Sequence, residues 1–427
     1  MTLKVRKTSL FQFILLYVLI CFQGSMGFRA YNSFFILFAI FSSLAIYFMR
    51  KKKIPQHYLL FMATLFLSLF LEIILTDSGV YLSSIASIMS RFAILLAAFY
   101  YDEKNFADRY VKIVVFLAVI SLIGFTIVSI NPSLLEPFLT ARTELVQTYW
   151  QRYYVTYYGT FLFAFTSATA RNIGIFHEPG LYQIVLNAAL YLLLFKRKVL
   201  WIEEKKRYVY LIIVSAAIVS TMSTTGLISM FGLYIIYLLF CKKDVNRKIK
   251  WIVVLALLCI MIYEVFSGSE SYLYKYLISK ISKNGAIDLS VSTGNSRILS
   301  LMSDLSIFKK HPFGIGYVRY NDAYKKNLLD QTISDTSSCV GFTQVLAILG
   351  IVVFIVIIAY YVYLLKRNLK KSEAVAFLLF FVNTGLSQPY IWFPVIIALL
   401  LINDNRILGV NSFENNTESA RIYMEKP

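Results

Sequence analysis

Twelve apolar runs, with basic clusters at alternate junctions, leave this chain few folds to adopt. The runs cover approximately residues 9–23, 31–49, 57–76, 80–100, 110–130, 180–195, 208–222, 225–241, 251–266, 339–365, 373–388 and 390–403. Apolar runs of about 15 to 25 residues read as transmembrane helices, because a helix satisfies its own backbone hydrogen bonds where lipid offers none. The last pair is short enough to form one re-entrant hairpin. The basic clusters are Arg50 to Lys53; Lys104 and Arg109; Lys196 to Lys198 with Lys205 to Arg207; Lys242 to Lys250; and Lys366 to Lys371. If every run crosses the membrane, all of these fall on one side. With the termini they hold about two-thirds of the 42 lysines and arginines, which marks that side as cytoplasmic. The expected fold is all-α: a polytopic integral membrane protein with about 12 transmembrane helices and both termini inside. One membrane-embedded domain covers 1–403, and a polar cytoplasmic tail covers 404–427.

Composition agrees. Charged residues make up 15% of the chain and hydrophobic residues 58%, whereas a soluble protein is about a quarter charged. The net charge of +19 comes from short topology-setting clusters, so no nucleic-acid partner is expected. Met1 to Phe22 resembles a signal peptide. Since the chain beyond it is membrane-spanning anyway, an uncleaved first helix is expected. Cys21, Cys241, Cys259 and Cys339 form no CxxC pair and no Cys/His cluster, which argues against a disulfide framework or a zinc site.

Connections on the outer side are mostly tiny, but two extracytoplasmic loops are long, about 131–179 and 267–338, and both are expected to contain short helices. Long loops without structure of their own are uncommon unless functional. The first carries Tyr149, Trp150, Tyr153, Tyr154, Tyr157 and Tyr158, which suit a membrane interface and also stack on sugar rings. In the second, Tyr272 to Lys283 reads as an interfacial amphipathic helix. After Thr293 to Ser296, the residues Ile298, Leu301, Met302, Leu305 and Phe308 recur at helical spacing and are expected to pack inward. Gly314-Ile-Gly316 then allows a tight turn or close ligand approach.

Familiar soluble chemistry is missing. There is no Walker loop, GxGxxG, HExxH, GxSxG or DxD pair in the sequence, which disfavours an ATP-driven pump or a metal-dependent nucleotide-sugar transferase. No cofactor and no metal are expected. The distinctive stretch is Arg171-Asn-Ile-Gly-Ile-Phe-His-Glu-Pro-Gly180. Arg171 and Arg297 each sit in one long loop. Arginine's planar fork suits phosphate, although interfacial anchoring or an exposed ion pair also explains an outer arginine. Glu178 and His177 could accept a proton from an attacking hydroxyl; alternatively Glu178 pairs with an arginine and His177 packs or caps. Arg91, near the middle of its span, should face the bundle interior, as a partner in a buried contact or as part of a site. A pair with Glu72 would have to reach about two helical turns. His311 and Lys310 are secondary candidates. Ser220 to Gly226 supplies small residues for close helix contact.

The Arg171–Gly180 stretch resembles the R-x-x-G-x-F-x-E-P-G signature of O-antigen and capsular polysaccharide polymerases, the Wzy-like proteins. Gly294-Asn-Ser-Arg297, the helix after it and His311-Pro-Phe-Gly-Ile-Gly316 resemble that family's second loop, and Ser223 to Gly226 also fits. The resemblance implies lengthening of a glycan carried on undecaprenyl diphosphate, without nucleotide or metal, at the outer face of a bacterial cell membrane. It implies diphosphate binding by Arg171, Arg297 and Arg91, with Glu178 or His177 as base. The implied partners are the lipid-linked oligosaccharide and polysaccharide and the bilayer, and a chain-length regulator protein is a further candidate. The related O-antigen ligases place a histidine in an H-N-x-x-L-x-x-x-x-x-x-G pattern, and counting back from Gly350 puts Cys339 there. A ligase or related lipid-linked glycan transferase is one alternative, weakened by the cysteine in place of that histidine. A lipid-linked oligosaccharide flippase is the other, disfavoured because charge concentrates in the two outer loops.

Overall fold

The computed structural model describes residues 7–50, 54–76, 82–134, 140–147, 152–159, 162–166, 171–241, 282–283, 286–287, 293–327, 338–388 and 393–403. Eleven of the expected spans coincide with helices: α1 (Lys7–Cys21), α3 (Asn32–Arg50), α4 (Gln56–Thr76), α5 (Leu82–Tyr101), α6 (Phe106–Ile130), α7 (Pro179–Phe195), α8 (Glu204–Ser220), α9 (Thr224–Phe240), α12 (Gly341–Asn368), α13 (Lys371–Gly385) and α14 (Pro394–Leu401). The short α2 (Met26–Ala30) turns the corner between α1 and α3. The expected span over 251–266 lies outside the described residues, as does the side chain of Glu72.

Among the described residues, two helical stretches, Glu103–Ile130 and Gly341–Asn368, are long and apolar enough to cross a membrane. The bundle's exterior is apolar as well. Phe34, Leu37, Phe41 and Phe48 on α3, and Leu60, Leu67 and Ile74 on α4, are exposed. Continuous apolar surface of this kind is what lipid covers and water does not tolerate. Within the bundle α7 is enclosed on all sides, with every residue from Leu181 to Phe195 buried. It runs from the stretch singled out above to Lys196, whose ammonium meets Glu373 at 2.8 Å in a buried pair. At the same end Gln12 donates to the Asp102 carbonyl (2.8 Å) and Asp102 pairs with Arg109.

The outer loops depart from expectation in two ways. Short helices are present in the second loop, but the first forms an antiparallel sheet, β1 (Thr140–Gln147), β2 (Arg152–Gly159) and β3 (Ala164–Thr166), in that order. Its tyrosines, with Val155 and Thr156, are residues that favour a pleated strand. The helix expected over 272–283 lies outside the described residues except Ser282–Lys283 (β4), which pairs with Ala286–Ile287 (β5).

The second departure is in α10 (Thr293–Lys310). The helix forms as expected, but Ile298, Met302 and Leu305 face outward, 47%, 49% and 36% exposed. Its buried positions include Ser300, Ser303 and Asp304. Helical spacing locates a stripe but not the medium it faces. Here the polar face finds partners within the protein, and the apolar stripe is left for lipid.

After α10, the turn at Pro312 to Ile315 leads into α11 (Gly316–Asn327) and docks on α12 where that helix breaks. Gly350 has φ 73° and ψ 179°. Ile351 N–H donates to the Pro312 carbonyl (2.9 Å), and Ile315 N–H donates to that of Ala347 (3.0 Å). A Cβ at Gly350 would overlap the Phe313 and Gly314 backbone. Beyond the break, Ile351 to Asn368 spans about 27 Å at 1.5 Å per residue, close to a hydrocarbon core of about 30 Å.

Candidate functional site

The 171–180 stretch is a strap tied at both edges. On one side Asn172 N–H donates to the Ser220 carbonyl (3.0 Å), and its side-chain amide donates to Ser121 and Ser220 (3.1 and 2.9 Å). Arg171 donates from Nε to the Thr221 carbonyl (3.1 Å) and from Nη2 to that of Met222 (2.8 Å). These carbonyls lie in the turn between α8 and α9, where Met222 has φ 49°. On the other side Ile175 accepts from Met26 N–H (2.9 Å), and His177 Nδ1 meets the Gly24 carbonyl (2.9 Å). Gly174 allows the path between these edges. Its φ is +58°, and a Cβ would sit 2.8 Å from the Tyr182 ring.

The strap presents Glu178 and His177 together. The Gly24 carbonyl can only accept, so Nδ1 carries a hydrogen and Nε2 turns toward Glu178 Oε1, 3.6 Å away. Glu178 is the residue preceding α7, yet its carboxylate makes no capping hydrogen bond. The side chain is 53% exposed. Burial by its surroundings would raise its pKa, but the hydrogen bond and charge of His177, and the charges of Arg29 and Arg171, outweigh that and hold it below the usual carboxylate range. Glu178 is therefore ionised at neutral pH and able to accept a hydrogen bond or a proton.

Arg29, at the end of α2, was not among the residues singled out from sequence. It is the single arginine in the short outer connection after the first span, and that isolation was the available signal. Arg91 stands behind the same corner. Its Nη1 donates to the Phe22 carbonyl (3.0 Å), just past the end of α1, and its guanidinium lies over the Phe28 ring. It braces the turn that carries Gly24, and so holds His177 from behind.

The second loop carries the remaining candidate residues. Arg297 lies one turn before Ser300, whose hydroxyl meets Tyr324 (2.7 Å) and the Cys339 thiol (3.6 Å). Asp304, one turn further, is buried and accepts from Tyr320 (2.7 Å) and Thr343 (2.7 Å). Burial pushes its pKa up to about 6, against the lowering effect of hydrogen bonds from Tyr320, Ser338 and Thr343. One carboxyl thus joins α10, α11 and the start of α12, and places Cys339 beside the turn that follows Arg297.

Gln388, beyond the end of α13, joins the halves. Gly180 and Gly341 both lie against it, and a Cβ at either would collide with Gln388. The Glu-Pro-Gly turn and the Cys339-Val-Gly341 segment therefore flank one residue. Sequence reasoning missed Gln388 because nothing near it forms a motif. Arg171, His177 and Glu178 belong to the strap on one flank; Cys339 lies on the other, 3.6 Å from the Ser300 hydroxyl one turn after Arg297. Lys310 and His311 stand at the far end of α10, 13 residues and about 20 Å from Arg297. Among the described residues, no three His, Cys, Asp or Glu side chains group as metal ligands.

Residues 209–358 match the Wzy_C family, described as O-antigen ligase. The match runs from α8 through the α8–α9 turn, Arg297, Cys339 and the Gly350 break. The 171–180 strap lies outside it. Across this segment, about a third of the chain, the protein is similar to that family, and the similarity supports an integral membrane protein of lipid-linked glycan processing. No curated protein matches the chain.

Proposed function

Taking the Wzy_C relation as premise, we propose that this protein is a polymerase of lipid-linked polysaccharide repeat units. It transfers a growing glycan from undecaprenyl diphosphate to an acceptor repeat unit, at the outer face of a bacterial inner membrane with both termini cytoplasmic. The observation that carries this reading is the packing of Gly180 and Gly341 against Gln388, which sets the strap bearing an ionised Glu178 beside the segment of Cys339, whose thiol meets Ser300 one turn after Arg297.

The chemistry follows from the groups. The acceptor hydroxyl oxygen bonds to the anomeric carbon of the donor. The bond from that carbon to the diphosphate oxygen breaks, and the electron pair leaves with the diphosphate. The hydroxyl proton passes to Glu178, which the His177 charge keeps ionised, or, where the imidazole is neutral, to His177 Nε2. Arg297, Arg29 and the remaining charge of Arg171 favour the anion that develops. Since two donors of Arg171 are held by the Thr221 and Met222 carbonyls, Arg297 is the stronger candidate for direct diphosphate contact. In this reading the enzyme uses no metal, and a chain-length regulator is its candidate protein partner.

A second reading, the ligase, is favoured by the description of the matched family. Cys339 speaks against it, since a thiol stands where the ligase pattern has an imidazole. The test is glycan length in a strain lacking the gene, complemented with wild type, Arg297→Ala or Glu178→Gln, with membrane expression checked. Single repeat units in the deletion, extended to a ladder only by wild type, support the polymerase. Full-length polymer left on carrier lipid in the deletion points to the ligase. Absence of any repeat unit outside the membrane points to a flippase. Normal ladders from both variants refute the site.

A further inference from the structure

An open cavity of about 440 Å³ lies between the end of α10 and the first turn of α11, lined by Lys310, His311, Pro312, Phe313, Gly314, Ile315 and Arg319. Three basic side chains converge there on a fixed backbone. Lys310 Nζ is steadied by Asn327 Oδ1 (3.2 Å). The cavity floor is the turn pinned to the α12 break by the Ile351–Pro312 and Ile315–Ala347 bonds. The amino end of α11 adds the favourable end of its dipole.

Three observations set this cavity at a lipid surface. The Ile351–Asn368 segment that begins beside it matches the hydrocarbon thickness, so the break sits near the membrane boundary. Phe313, on the cavity wall, is 52% exposed. The outward stripe of Ile298, Met302 and Leu305 runs along α10 from Arg297 toward the cavity. An anion with an apolar tail fits this surface better than a free one.

We propose that Lys310, His311 and Arg319 form a second diphosphate site, which holds the lipid-linked acceptor while Arg297 holds the diphosphate of the donor. This rests on the polymerase reading, in which both substrates carry a lipid diphosphate. The two sites must then be separate. The acceptor reacts through a hydroxyl at the far end of its repeat unit, so its own diphosphate lies an oligosaccharide's length from the reacting carbon. The span of α10, about 20 Å from Arg297 to Lys310, provides that separation.

The test uses the full chain in nanodiscs of uncharged lipid, titrated with undecaprenyl diphosphate and read by native mass spectrometry. Wild type is expected to bind two lipids. The Lys310→Gln/Arg319→Gln double variant should lose one, with the second affinity at least about tenfold weaker, as expected for loss of charge-assisted contacts. Arg297→Gln should lose the other. All three substituted side chains are at least partly exposed, so an unchanged melting temperature checks the fold. One lipid on wild type, lost in Arg297→Gln but kept in the double variant, overturns the second site and leaves the polymerase reading standing. No lipid on wild type overturns both. If phosphatidylglycerol displaces the Lys310/Arg319-dependent lipid as readily as undecaprenyl diphosphate binds, the cavity is a general headgroup site and the assignment fails.

Discussion

Asp304 offers the sharpest test of how the second loop is held. It is buried, and its pKa rises from 3.8 to about 6 chiefly because burial disfavours the charged carboxylate. A carboxyl whose folded pKa lies above its unfolded value binds its proton more tightly in the native state. It therefore contributes stability that is complete below pH 3.8 and is lost as pH rises through about 6. The interval from 3.8 to about 6 corresponds to about 3 kcal/mol. Asp304→Asn removes the charge but keeps one acceptor and gains a donor, and the hydroxyls of Tyr320 and Thr343 can rotate to suit it. The expected result is a variant whose stability relative to wild type improves between pH 5 and about 7 and then levels off to pH 8, by about 1 to 2 kcal/mol of the full difference. Asp304→Ala should instead lose about 2–4 kcal/mol, because two buried hydroxyls lose their acceptor. The assay is thermal unfolding of the full chain in detergent across that range. A wild-type minus Asp304→Asn difference that stays flat with pH would refute an ionising, buried Asp304.

Other consequences are equally direct. Lys196→Met alone leaves Glu373 charged and buried, and should lower stability by about 3–5 kcal/mol, whereas Lys196→Met with Glu373→Gln should recover most of it; melting temperatures decide. Gly174→Ala puts a Cβ against the Tyr182 ring at a positive φ. It should abolish the glycan ladder even where the protein still reaches the membrane, measured by gel and immunoblot together. Glu178→Gln should keep the fold but lower turnover about 10²-fold or more if the carboxylate takes the proton. A steady-state rate within twofold of wild type would remove it from that role.

How much of this could be read in the chain alone differs from residue to residue. The helices were legible because apolar runs of membrane length, bounded by alternating basic clusters, have one stable form in lipid. The strap was legible as a motif, since Gly174, Pro179 and Gly180 stand among Arg171, His177 and Glu178 in ten consecutive residues. The outward turn of Ile298, Met302 and Leu305 was not legible. Periodicity shows that a helix has an apolar stripe, and only its surroundings show whether that stripe meets protein or lipid. Arg91 was marked as a residue that needs a partner, and nothing local could show that the Phe22 carbonyl, 69 positions away, is one.

By itself, then, the sequence determined local and near-local matters: where helices run, which helix ends carry the basic clusters, and where arginine, histidine and carboxylate concentrate. These depend on neighbours within a few turns and on the bilayer as solvent. The tertiary structure alone decided that Gly180 and Gly341 meet at Gln388, that Asp304 knits three helices around Cys339, and that Lys310 and Arg319 share a cavity beside a broken helix. Those contacts join residues far apart in the chain. Packing selects them, through glycines that let backbones touch and buried polar groups that must find partners, and no local pattern encodes which partner will be there.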